Sequence, residues 1–259
     1  MKLDPRAVAA GVRVVAHDVL GSTNAEALQR ARLGERGALW VVARQQTAGR
    51  GRRGRIWVSE RGNLYASLLL TAGAPAEQWP QLSFVAALAA HDAVVEVAPG
   101  LKPRLAIKWP NDLLLDGAKL AGILIEGADA GEEGAVAIGI GVNCTSHPEG
   151  ADYPATDLAA AGSPVALEAL FAALSAKMLG RIAQWNHGEG FSTIRADWLA
   201  RAVGVGDDVR VRLADKELTG RFEALNDAGS LVLRLPGGEA TTIAAGDVFL
   251  LPAPPHGES

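Results

Sequence analysis

The spacing of apolar residues changes several times along this chain, and each change marks an element. From Val12, "VRVVAHDVLGSTNAEALQRARLG" reads as a strand, a short turn and a helix. Thr23 and Glu26 have the spacing of a capping box, and Gly34 stands where a helix stop belongs. "ALWVVARQQ" and "NLYASLLL" read as buried strands flanking a loop rich in glycine and arginine, with Ile56 to Val58 starting the β-like run into the second. "LSFVAALAAHDAVVEV" reads as a largely buried helix. Three apolar β-like runs follow, "RLAIKWPNDLLL", "KLAGILIEG" and "AVAIGIGVNC". Leu167, Leu170, Phe171, Leu174, Met178, Ile182 and Trp185 then recur at helical spacing, and a second helix carries Phe191, Ile194, Trp198 and Leu199.

From about Val205 the period shortens. "DDVRVRL", "ELTGRFEAL", "SLVLRLP" and "ATTIAAGDVFLL" are strand-like runs broken by turn pairs such as Asn226-Asp227 and Pro236-Gly237. Short strands at this spacing predict a small β-barrel appended to an α/β part. The closing "PAPPHGES" reads as a frayed tail.

Composition narrows the classes. A chain of 259 residues, 49% apolar and 21% charged, can bury the core of one large domain and one small one. A formal net charge of −4 argues against a general binder of nucleic acid or membrane surfaces. Lys2, Asp4, Arg6 and Arg13 interrupt any leader-like apolar stretch, and no run is long enough to span a bilayer. Cys144 is the only cysteine, which excludes an internal disulfide and points to a reducing cytosol. The expected location is cytoplasmic.

Basic charge is concentrated between Arg44 and Arg61, with six arginines and one acid, Glu60. Within it, Gly49, Gly51 and Gly54 fit G-x-G-x-x-G. A dinucleotide turn needs a helix after the glycines to hold the pyrophosphate, and here a β-like stretch follows. No Gly-Lys-Ser or Gly-Lys-Thr forms a phosphate loop either. What remains is a solvated basic hairpin or a mobile segment that closes over an anion, with glycine giving close approach and arginine giving fixed donor forks. A second cluster favours the anion. Lys108, Asp112 and Lys119 border apolar strands, and Pro110 makes a rigid bend that sets Lys108 and Asp112 at the mouth of a sheet.

Together "GSTNAEA", "QTAGRGRRGRIW", "KWPNDLLL", "KLAGILIE" and "GIGVN" resemble, in order and spacing, the motifs of biotin protein ligases. The resemblance runs from about residue 14 into the C-terminal barrel and is closest to the short form without an N-terminal DNA-binding domain. It implies an α+β fold: a mixed β-sheet with helices over residues 1–204, of the class II biotin/lipoate ligase type, then an SH3-like β-barrel and tail over 205–259. It also implies a two-step reaction. Biotin and ATP give biotinyl-adenylate with Mg2+ expected, and a lysine of a biotin carboxyl carrier protein domain of a carboxylase then takes the biotin. No DNA or membrane partner is expected, and a homodimer is left open.

Matched residue by residue, Ser22, Thr23, Asn24 and Gln46 fall at biotin-contacting positions. An unpaired ureido group there would cost about 1–3 kcal/mol per polar atom; helix capping is the plainer role for Ser22 to Asn24. Gly49, Arg50, Gly51 and Arg52 match the loop around the biotin carboxylate and acyl phosphate, Lys119 a position at the same anhydride, and Lys108 one near the phosphates. Trp57 and Asn143 match adenine positions, with core packing the plainer reading of Trp57. Asp112 matches a position beside the incoming lysine, which makes Arg52, Lys108, Asp112 and Lys119 the catalytic set. Arg53 and Arg55 complete the motif without a role beyond keeping an open loop solvated, and Cys144 and His147 read as structural. A lipoate–protein ligase of the same fold and a nucleic-acid-binding module are the alternatives.

Three glycines and four like charges predict that Gly49 to Arg55 is disordered in the free protein and folds over biotin and its adenylate. Limited trypsin digestion checks this. Cleavage at these arginines is expected to slow by about tenfold or more when biotin and ATP are added; cleavage that neither ligand changes would leave a solvated hairpin.

Overall fold

Two sheets carry the fold in this computed structural model, which describes residues 1–71, 75–129, 134–150 and 153–251. The "PAPPHGES" tail lies outside the described residues. A short helix absent from the sequence reading, α1 (Pro5–Ala9), opens the chain with Asp4 as its N-cap. Then come β1 (Arg13–Leu20), α2 (Thr23–Arg32), β2 (Leu39–Gln46), β3 (Leu64–Thr71), α3 (Leu82–Val97), β4 (Leu105–Lys108), β5 (Asp112–Leu115), β6 (Ala118–Ala128) and β7 (Ala135–Val142). Two helices, α4 (Leu167–Trp185) and α5 (Phe191–Leu199), lead to β8 (Asp208–Arg212), β9 (Glu217–Leu225), β10 (Leu231–Arg234), β11 (Ala240–Ile243) and β12 (Asp247–Leu250).

The first sheet is mixed, in the order β1-β2-β3-β7-β6-β5-β4, with β1 and β2 parallel and the other pairs antiparallel. The second is antiparallel, β11-β10-β9-β8-β12, consistent with a small SH3-like domain. Three local readings need correction. "RLAIKWPNDLLL" is two strands, because Trp109, Pro110 and Asn111 turn β4 back along β5. "ATTIAAGDVFLL" likewise divides into β11 and β12. Ile56 makes only an isolated bridge with Arg50, and the strand begins at Leu64.

α2 also begins differently from expectation. Its N-cap is Ser22, whose hydroxyl accepts from Ala25 N–H, so Thr23 and Glu26 form no capping box. Thr23 instead gives its N–H to Gln46 Oε1 at 2.8 Å. The C-terminal signal works as expected: Gly34, at φ +96°, donates to Ala31, and Glu35 donates to Arg30, a Schellman closure.

Alternation on β7 decides which face holds the core and which is left open. Val136, Ile138, Ile140 and Val142 point into the main core, beneath α3 and α4, with Phe171 and Trp40 in edge-to-face contact. Ala135, Ala137, Gly139 and Gly141 point the other way, toward α2. That face of β7 carries almost no side-chain volume, which leaves room for something else.

The barrel is docked where α3 and α5 meet. Gly229, at φ +82°, packs against Phe84 and Phe191, and its carbonyl accepts from the buried Trp109 indole N–H at 3.0 Å. Trp109→Phe removes that donor and strands the carbonyl, and is expected to destabilise the fold by about 1–3 kcal/mol. The check is the urea midpoint at unchanged slope, and an unmoved midpoint would show that this bond does not hold the junction.

Candidate active site

Strand register builds the open face in rows. Lys108 pairs with Asp112, Asp112 with Gly122, Gly122 with Gly141 and Gly141 with Tyr65, one row across five strands. One step along, Leu124, Gly139 and Ser67 form a second row, and beyond it Glu126 pairs with Ala137. Side chains two apart share a face, so these rows lie on one surface about 7 Å apart.

Lys119, opposite Leu114, shares this face with Gly122 although it is three residues away. A bulge explains this: Leu113 pairs with Ala121 but Leu114 with Lys119, leaving Leu120 as an extra residue turned into the core. The Lys119 side chain then lies over Gly122 and places Nζ 2.7 Å from Asp112 Oδ1. That oxygen has no aligned hydrogen bond, so the contact is a charge pair. Lys108 Nζ reaches the other oxygen at 3.4 Å. Two ammonium groups thus flank one largely buried carboxylate. The ammonium of Lys119 also lies 5.4 Å from the Trp57 ring centre and 5.1 Å from that of Tyr153.

Asn143, at the end of β7, holds this corner in shape. Its N–H donates to Leu120, and its side-chain amide donates to the carbonyls of Lys119 and Thr156. His147 Nδ1 is 2.6 Å from the buried Asp157 carboxylate in the following segment. Burial pushes the Cys144 thiol up to about 12, which makes it inert at neutral pH.

The second and third rows gather the polar, largely uncharged residues. Thr23 donates its N–H, and Oγ1 lies 3.1 Å from the same Gln46 Oε1. Gln46 donates to Ser59 Oγ, which donates to the Trp57 carbonyl. Ser67 Oγ lies 2.7 Å from Thr23 Oγ1 and 2.6 Å from Asn24 Oδ1, and its single proton serves one of them. Asn24 donates to Leu124 O and Glu126 Oε2. Ser22, Thr23, Asn24, Gln46, Arg50 and Trp57 line a cavity of only about 40 Å³.

Trp57 makes that cavity small. Its indole lies on Gly122 and Gly141, where a Cβ on Gly141 would come within 2.6 Å of Nε1. The indole N–H is buried without a hydrogen-bond partner among the described residues. Core packing therefore describes Trp57 incompletely, since it covers the floor of the open face and leaves a donor unsatisfied.

The arginine loop crosses this face. Gly49 lies so close to Trp57 O and Ser59 Oγ that a Cβ would be 2.4 and 2.5 Å from them, and its carbonyl accepts from Trp57 N–H. Gly51 donates to the Arg55 carbonyl. Arg50 and Arg52 part here: Arg50 pairs with Glu126 at 3.0 Å, whereas Arg52 donates to Asn111 Oδ1 and the Gly246 carbonyl. Burial pulls the Arg52 guanidinium down from its ordinary range, while Asp247 and Asp112 draw it back up. Arg53 and Arg55 both pair with Asp247 at the start of β12, which corrects the reading of them as free solvated charges.

Sequence reasoning missed Ser67, Glu126, Asn111, Tyr153 and Asp247. Glu126 had a signal, being in phase with Gly122 and Leu124 within "KLAGILIE". Asp247 had none, since it meets the loop only through the docked barrel.

The profile of the Biotin/lipoate A/B protein ligase family matches residues 18–143, and that of the Biotin protein ligase C terminal domain matches residues 204–251. The chain is 46% identical over 235 residues to the biotin--[acetyl-CoA-carboxylase] ligase of Paracoccus denitrificans, covering 88% of this chain and 96% of that one. It is 34% identical to the bifunctional ligase/repressor BirA of Bacillus subtilis, covering 88% of this chain and 71% of the relative. Among solved structures, the biotin protein ligase from Aquifex aeolicus in complex with biotin and ATP superposes with a TM-score of 0.77 at 24% identity, over 92% of this chain and 98% of that one, a likeness of fold.

Proposed function

We infer the function from one premise: the chain belongs to the Biotin/lipoate A/B protein ligase family. Its activity is the ATP-dependent attachment of biotin to the biotin carboxyl carrier protein of a carboxylase. The lipoate alternative is set aside, because relatives at 46% and 36% identity over most of the chain carry the name of biotin ligases. Residues 1–204 form the catalytic domain in this reading, and residues 205–259 the barrel and tail.

One observation carries the assignment of the site. A single sheet face presents neutral polar groups at one end and Lys108 and Lys119 around Asp112 at the other. Biotin has the same polarity, a neutral ureido ring and an anionic carboxylate. Thr23 and Gln46, with Ser22 and Asn24 behind them, pair the ureido group. Gly49 and Gly51 let the loop backbone approach, and Trp57 leaves its place on Gly122 and Gly141 to give adenine a stacking face.

In the first step a biotin carboxylate oxygen bonds to the α-phosphorus of ATP, and the bond to pyrophosphate breaks. Lys119, Lys108 and Arg52 offset the charge of two anions brought together. Mg2+ bound with ATP would be held mostly by the phosphates and would offset part of their charge. In the second step the carrier lysine nitrogen bonds to the acyl carbon and AMP leaves with the electron pair of the broken bond. Once the phosphates draw the lysines, Asp112 is released to orient the amine and take its proton.

No described helix is long and apolar enough to cross a membrane. The buried, unpaired Cys144 fits a cytoplasmic enzyme, and the net charge of −4 gives no support to a role on DNA.

Lys119→Ala is expected to slow adenylate formation, and Asp112→Ala chiefly the transfer to the carrier, each by about 10²–10³. Single-turnover assays that follow the two steps separately distinguish them, with pyrophosphate exchange driven by biotin and not by lipoate as the control. Equal defects of both variants in both steps would contradict these roles.

A further inference from the structure

Glu126 holds together two residues assigned to biotin without belonging to that set. One of its oxygens, Oε2, accepts from Asn24 Nδ2 at 2.8 Å and from Arg50 Nη2 at 3.0 Å. The second Asn24 amide proton goes to the Leu124 carbonyl at 3.2 Å, and Asn24 Oδ1 faces Ser67 Oγ. Both donors of Asn24 are thus engaged by the protein, and the side chain has none to offer a ligand. Its orientation follows from the acceptors on β6, and it in turn fixes what Ser67 presents to Thr23 and Gln46. A hydrogen-bonded series therefore runs from Glu126 through Asn24, Ser67 and Thr23 to Gln46.

The charge of Glu126 has a second effect. Arg50, matched in the sequence to the loop around the biotin carboxylate, lies in the structure at the opposite end of the cleft from Lys108 and Lys119, and the Glu126 carboxylate neutralises it. At the other end Lys108 and Lys119 share the single carboxylate of Asp112, which leaves that end positive. The cleft is charge-neutral where the hydroxyl and amide groups lie and cationic where the anions must meet.

We propose that Glu126 is the positioning residue for the neutral ring of biotin, acting through Asn24 and Arg50 to set how tightly and which way round the acid is held. The proposal rests on the reading of this face as a biotin cleft. Glu126 stands four residues along β6 from Gly122, about 13 Å from the reacting end, so it touches no reacting atom. Its loss weakens retention of biotin and leaves the chemical step at saturation nearly intact.

Biotin-dependent pyrophosphate exchange by the full chain tests this, comparing wild type with Glu126→Ala and Glu126→Gln. Glu126→Ala is expected to raise KM for biotin about 10–100-fold with kcat within about twofold. Glutamine keeps an acceptor oxygen but not the charge, and is expected to raise KM about 3–10-fold. Biotinamide, which lacks the carboxylate, is expected to lose affinity as an inhibitor by the same factors, because the defect lies at the ring. An unchanged KM in both variants, a defect confined to kcat, or a loss for biotin that biotinamide does not share would overturn the proposal. Should the alanine variant fail to fold, the glutamine variant decides by the same criteria. A wild-type protein with no biotin-dependent exchange would instead overturn the functional reading.

Discussion

The pairing of Asp112 with two lysines is the constraint around which the rest of the site is arranged. Like-charged ammonium groups brought near one another in a partly buried corner repel, and the carboxylate between them makes the arrangement tolerable. Each partner comes from a different local device. Lys108 is fixed by hairpin register, Lys119 by a bulge that turns Leu120 into the core, and Asp112 by its place opposite Gly122. Moving any strand by one residue would carry its side chain to the other face and break the set.

Space is the second constraint. Gly122, Gly139 and Gly141 leave the floor of the open face bare, while their neighbours on β7 fill the core beneath. Trp57 lies on that floor with its N–H unpaired, a buried donor whose solvation is lost without compensation. The arginine loop above is anchored at both ends by acids, Glu126 on the sheet and Asp247 on the barrel, so the barrel shares in holding the cover of a site it does not line with its own core.

Much of this was legible from the sequence, for reasons particular to each element. α3 and α4 fall on the expected residues because their apolar patterns run over 16 and 19 residues, and α5 because Phe191, Ile194 and Trp198 keep helical spacing. "KWPND" pointed to a bend, though not to the hairpin that divides the run into β4 and β5. The capping assignment failed because Ser22 and Thr23 compete for one role, and Gln46, distant in sequence, engages Thr23. The motifs gave Lys108, Asp112 and Lys119 as separate functional residues, but their union around one carboxylate depends on register and a bulge. Asp247, the acid that anchors Arg53 and Arg55, was hidden for the same reason: the Arg53–Asp247 pair links residues 194 positions apart.

The account stands on one reaction, the passage of biotin from an adenylate formed on this sheet face to a carrier lysine. Mass spectrometry of a biotin carboxyl carrier domain, after incubation with this protein, ATP and biotin, measures it directly. The expected spectrum shows one biotinyl group added at a single lysine, with none added when ATP is omitted. A carrier that stays unmodified, or that takes lipoate as readily as biotin, would contradict the account.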